Sequence, residues 1–194
     1  MRKPSLQLLL ATCTLLLGGC AVRGDPWICN DYRSTRNCIG GAYLPGGHQG
    51  IDFGADAGTE VISATYGTVV SMRSDKCAGY EIRVATDMVG RHGETEGQVF
   101  AIYAHAKPLE GLAVSQTVKP GDPIGNVIPL LGTPCYASRE HVHYELRVNN
   151  VRDLHINPHQ YWVDGPDKPT CFKAGAVVPA GKAVAPVRCQ ASGS

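Results

Sequence analysis

The sequence has no Cys-x-x-Cys pair, no block of like charge and no second long apolar run, and each absence removes a class of protein. Without paired cysteines at ligand spacing, a thiolate-bound zinc is not expected. The 18 Lys and Arg nearly balance 17 Asp and Glu, so no nucleic-acid partner is expected. The longest apolar run, Leu8 to Leu17, has 10 residues, against the roughly 20 that a membrane span needs. There is no internal repeat and no low-complexity block. What is there is 23 Gly, 13 Pro and 43% hydrophobic residues, the composition of one compact all-β domain with many turns, at an ordinary length for a single core.

The most informative stretch is His141-Val142-His143, set in the strand-like run from His141 to Val148. Side chains on a strand alternate faces, so His141 and His143 share one face, with Cβ atoms roughly 7 Å apart. One imidazole can then hold a metal while the other touches what the metal holds. Upstream, Gly46-Gly47-His48-Gln49-Gly50-Ile51-Asp52-Phe53-Gly54 carries a His and an Asp at helical spacing, but its four glycines in nine residues argue against a helix. His48 is expected in a turn and Asp52 at the start of a strand. His48, Asp52 and one of the two downstream imidazoles make three N/O ligands, the complement of a catalytic zinc that keeps its fourth position for water. Between these motifs, Val99 to Ala104 is a β-type run that ends at a third histidine, His105.

His48-x-x-x-Asp52, His105 after Tyr103-Ala104, and His141-x-His143 together resemble, in order and rough spacing, the lysostaphin/LytM-type zinc endopeptidases that cut peptide cross-links of peptidoglycan. The likeness extends over about residues 44–162, with framing phrases Gly50-Ile51-Asp52-Phe53, Val118 to Gly125 and Ile156-Asn157-Pro158. It implies an antiparallel two-sheet fold of the duplicated-hybrid-motif type with few short helices. It further implies one Zn2+ per chain on His48, Asp52 and His143, with His105 and His141 as catalytic histidines just outside the metal's shell. The choice of His143 over His141 as ligand comes from the resemblance alone, and which of His105 and His141 is the base stays open. The implied substrate is peptidoglycan, at a D-Ala to meso-diaminopimelate bond. A rival reading is a non-catalytic binding module of the same fold that activates cell-wall amidases, and a third is a structural anchor whose zinc only holds the domain together.

Met1-Arg2-Lys3 followed by the apolar run reads as a signal peptide over 1–19. Leu17-Gly18-Gly19-Cys20 resembles a bacterial lipobox, which makes Cys20 the expected lipidation site. Ala21 rather than Asp after it points to an outer-membrane anchor facing the periplasm. The segment 20–43 is then a tether, and from Cys20 to His48 the chain spans at most about 100 Å. Cys29, Cys38, Cys77, Cys135, Cys171 and Cys189 remain, an even number that reads as three disulfides in an oxidising compartment. The expected pairs are Cys29–Cys38, Cys77–Cys135 and Cys171–Cys189.

Short antiparallel strands are expected from residue 58 onward, with Met88 to Gln98 as a polar loop bearing a solvated His92, and Pro129 to Glu140 as a loop entering His141. Tyr43 is read as a packed tyrosine, and His155 and His159 as structural or exposed. The peptidase-like domain is placed at 44–163 and the Pro, Gly and Ala-rich tail at 164–194. The anchor has a direct test: Cys20→Ala is expected to move the protein into the soluble fraction, and retention in membranes would count against lipidation.

Overall fold

A computed structural model describes residues 26–35, 47–75, 79–131 and 139–189. Cys20, Cys38, Tyr43, Cys77 and Cys135 lie outside them. In chain order the strands are β1 (Ile28–Asn30), β2 (Ile51–Gly54), β3 (Glu60–Ile62), β4 (Gly67–Asp75), β5 (Gly79–His92), β6 (Thr95–Ala104), β7 (Ala106–Pro108), β8 (Thr117–Val118), β9 (Pro123–Val127), β10 (His141–Val148) and β11 (His155–Ile156). One 3₁₀ turn, Pro158–Tyr161, follows, started by Asn157, whose side chain accepts from the His159 N–H. The larger sheet has the order β1-β2-β10-β6-β5-β4-β8, with β11 added beside β10, and the smaller one is β3-β9-β7. All of these pairings are antiparallel. The all-β, two-sheet expectation holds.

Alternation drives the assembly. Along β5, Ile82, Val84, Thr86, Met88 and Gly90 are buried while their neighbours are half-buried or exposed, the period-two pattern of a strand with one face on a core. This strand corrects one expectation. Residues 88–98 are not a loop but the outer arm of a hairpin, with Val89 to His92 pairing Gln98 to Thr95 beyond a register shift after Ala85. The polar composition hid the arm because its outer face is solvated. His92 sits on that arm half-buried, its Nδ1–H donating to the His155 carbonyl at 2.7 Å.

The inner face of β10 carries Val142, Tyr144, Leu146 and Val148, all fully buried. Under it Phe53, Tyr144 and Trp162 meet with ring centroids 6.0–6.5 Å apart, an aromatic floor beneath the β2–β10 pair. The tail packs into the same core through Val178, Ala183, Val184, Ala185 and Val187. Ala183 bridges Trp162 and Val187 bridges Val61, and a Cys171–Cys189 disulfide closes the tail with Cα atoms 5.6 Å apart.

Two buried tyrosine hydroxyls differ in their surroundings. That of Tyr103 accepts from the Ala64 N–H at 2.8 Å, whereas that of Tyr144 has no partner among the described residues. Tyr103→Phe is therefore expected to strand a buried donor and cost about 1–3 kcal/mol, lowering Tm by several degrees. Tyr144→Phe is expected to leave Tm unchanged or raise it, and paired thermal melts check both.

Candidate metal centre

The centre is built by strand register. His143 lies directly opposite Asp52 in the β2–β10 pair, so cross-strand neighbours on one face place an imidazole beside a carboxylate. Phe53 and Tyr144, one residue on, point into the core. His48 reaches the same point from the turn before β2, which is pinned by backbone hydrogen bonds from Arg33 N–H to the His48 carbonyl (2.7 Å) and from His48 N–H to the Ser34 carbonyl (3.0 Å). The result is a triangle of donor atoms. His48 Nε2 lies 3.1 Å from Asp52 Oδ1, His143 Nδ1 2.9 Å from the same oxygen, and the two nitrogens are 3.0 Å apart.

These edges fit a small divalent ion. Ligands about 2.0–2.1 Å from a tetrahedral zinc stand about 3.3 Å from one another, so the three donors need open by only a few tenths of an ångström. Two imidazoles and one carboxylate are also the donor types a catalytic zinc takes. The described residues hold one such cluster, His48, Asp52 and His143.

The two further histidines stand at its rim. His141, opposite Gly54, has Nε2 3.7 Å from Asp52 Oδ1, and its ring is 4.8 Å from that of His105. His105 follows β6 with a left-handed backbone, φ 62°, at the corner where the chain leaves the large sheet for β7 in the small one. A non-glycine residue is uncommon there, and the corner places its ring 6.4 Å from that of His143. All five sequence-predicted site residues thus converge.

Residues 46–158, more than half of the chain, match Peptidase family M23. The chain belongs to peptidase family M23. Among solved structures it is similar to LytU, with a TM-score of 0.55 and 23% identity over 76% of this chain and 90% of that one. It is also similar to the antimicrobial peptidase lysostaphin from Staphylococcus simulans, with a TM-score of 0.54 and 22% identity over 70% of this chain and 49% of that one. For Csd3 of Helicobacter pylori the TM-score is 0.50 and the identity 23%, over 74% of this chain and 35% of that one. At such identities these likenesses bear on the fold.

Around the M23 triangle a second layer fixes the rings. His48 Nδ1 donates to the Asp31 carbonyl at 3.2 Å, which turns its Nε2 toward the centre. Asp31 is held in turn by His159 Nε2–H at 2.7 Å, and His159 Nδ1 accepts the Trp162 indole N–H at 3.1 Å. On the other side, Glu145 Oε2 lies 3.7 Å from His143 Nε2 and is gripped by Arg147 through two bonds of 2.7 and 2.6 Å. Such carboxylate partners behind a ligating imidazole set its tautomer. Asp31, Glu145, Arg147 and His159 had not been picked out from the sequence as site residues. Glu145 and Arg147 were findable, because they follow His143 at strand period two.

The charges are coupled. Burial raises the Asp52 carboxyl, but hydrogen bonds with His143 and His48 outweigh it and hold the group far below the usual carboxylate range. Burial lowers His143, yet Asp52 and Glu145 on its two nitrogens push it up to about 9. Without a metal, then, a proton on His143 Nδ1 occupies the ligand position, and a cation must displace it. Below about pH 9 each unit of rising pH removes tenfold of the competing proton. The apparent zinc or cobalt affinity of the metal-free protein is expected to rise about tenfold per pH unit from pH 7 to 9 and flatten above, as read by chelator competition. A flat profile over that range would contradict this account.

Proposed function

We propose that the protein is a zinc-dependent endopeptidase that hydrolyses peptidoglycan cross-links of the D-Ala to meso-diaminopimelate type, anchored through Cys20 in an outer membrane and facing the periplasm. Peptidases of this family are zinc-dependent. The observation that carries the reading is the ready-made triangle of His48, Asp52 and His143 with two more imidazoles at its rim. The complete set of five argues against the amidase-activating module, which needs none of them. A zinc ion held by the triangle would supply a water acidified to a pKa of about 7 and a Lewis acid for an amide carbonyl.

The remaining work falls to the chain. His141 Nδ1 donates to the Arg139 carbonyl at 2.8 Å, and since a carbonyl can only accept, the ring's other nitrogen, Nε2, carries the lone pair and faces the triangle. His141 is therefore suited to take a proton from an attacking water and to return it to the leaving amine. His105, on the adjoining corner, is placed to donate to the oxyanion that develops on the carbonyl. Asp52, kept ionised, neutralises positive charge at the centre. No side-chain nucleophile is required.

The test is digestion of purified peptidoglycan by the zinc-loaded protein, with new termini identified by mass. His143→Ala is expected to lose both zinc and activity. His141→Ala and His105→Ala are expected to keep zinc and lose roughly 10²–10³-fold in turnover. Equal activity of wild type and variants would remove the enzyme. An amidase stimulated equally by wild type and His143→Ala would instead favour the binding module.

A further inference from the structure

Trp27 and Arg139 form a structure on the rim of the triangle that the reaction above does not use. Trp27 is 48% exposed, the one exposed large aromatic among the described hydrophobics. Its carbonyl accepts the Gly54 N–H at 3.0 Å, and its ring lies so closely on Gly54 that a Cβ there would collide with the indole Cε3 and Cζ3. Side chains at 52 and 54 share one face of β2, and Gly54 is the register partner of His141. The indole therefore covers the same face of the sheet as Asp52, His141 and His143, about 7 Å along the strand from the triangle, by twice the rise per residue.

Arg139 completes it. Its guanidinium sits over the Trp27 ring, with Cζ 5.2 Å from the centroid, while its carbonyl fixes His141. A neighbouring backbone bond from Ala55 N–H to the Glu140 carbonyl, 3.3 Å, ties this segment to the end of β2. Arg139 is exposed, and among the described residues no carboxylate pairs with it, unlike Arg73, Arg83, Arg91, Arg147 and Arg188. A stacked, unpaired guanidinium presents a planar pair of N–H donors, which matches a carboxylate.

Resting on the proposed substrate class, we infer that the Trp27–Arg139 platform is a binding subsite for the free carboxylate on the diaminopimelate carbon that bears the scissile nitrogen. That carboxylate is two bonds from the amide nitrogen, so when the amide lies at the triangle it falls within the reach of Arg139. The part of the indole left exposed beside Arg139 flanks the adjoining methylene chain. An oligoglycine bridge has no carboxylate there, so the platform selects against it.

The experiment uses two cross-linked muropeptides that differ only in that group, a free carboxylate or its carboxamide. Binding is titrated calorimetrically to the full chain carrying His105→Ala, so that turnover does not interfere. The free acid is expected to bind about tenfold more tightly than the amide, with the preference abolished by Arg139→Gln, partly restored by Arg139→Lys, and both ligands weakened by Trp27→Ala. Equal binding of acid and amide, a preference that survives Arg139→Gln, or no binding of either would overturn the subsite. Should the wild-type protein cleave neither muropeptide while the acid preference and its loss in Arg139→Gln stand, the subsite holds and the peptidase reading falls.

Discussion

Everything at the centre depends on one register: β2 against β10, with Asp52 opposite His143 and Gly54 opposite His141. A slip of a single residue would send the carboxylate or the imidazoles to the aromatic side of the sheet, because alternation is absolute along a strand. The register is enforced from below. Phe53, Tyr144 and Trp162 interlock on the inner face, and a slip would bury Asp52 among them, where an unpaired charge costs several kcal/mol. It is enforced from above by Gly50, where a Cβ would press on the His143 ring at 2.9 Å from Cε1, so the ring is seated on bare backbone.

His48 is the ligand that the sheet does not position. It belongs to a turn, and a turn residue holds a ligand geometry only if something else immobilises it. The strap 27–34 does so, bonding both the backbone and Nδ1 of His48. The strap is itself secured at two points: pairing of β1 with β2 and the Asp31–His159 contact that ends on the Trp162 indole. Trp162 is also in the aromatic floor, so the second layer around His48 and the support under Asp52 and His143 meet in one residue.

Reading the sequence located the five histidine and aspartate side chains, because residue type and strand spacing carry that information directly. The choice of His143 over His141 as triangle member needed the resemblance, and the distances agree with it: His143 Nδ1 lies 2.9 Å from Asp52 Oδ1 and 3.0 Å from His48 Nε2, while His141 Nε2 stands 3.7 Å from that oxygen. The strap was not legible, since its bonds to His48 are mostly main-chain bonds and leave little mark on side-chain pattern. Residues 88–98 misled for the opposite reason: their exposed Val89 and Arg91 alternate with buried positions, but the glycines at 90, 93 and 97 and the polar residues around them read locally as a loop. Cys171–Cys189 was the economical guess that ties the tail to itself, and the bridge is present.

The electrostatics show how an open site of this kind can exist before a cation arrives. Two carboxylates, Asp52 and Glu145, flank His143 on opposite nitrogens, and without compensation their burial would be unfavourable. Arg147 neutralises Glu145 through two bonds, and the proton that the pair raises on His143 neutralises Asp52. The three donor atoms are consequently already 2.9–3.1 Å apart, and a divalent ion replaces a proton instead of gathering scattered ligands. That substitution leaves one net positive charge more at the centre than the proton did, on the same face as the cation of Arg139.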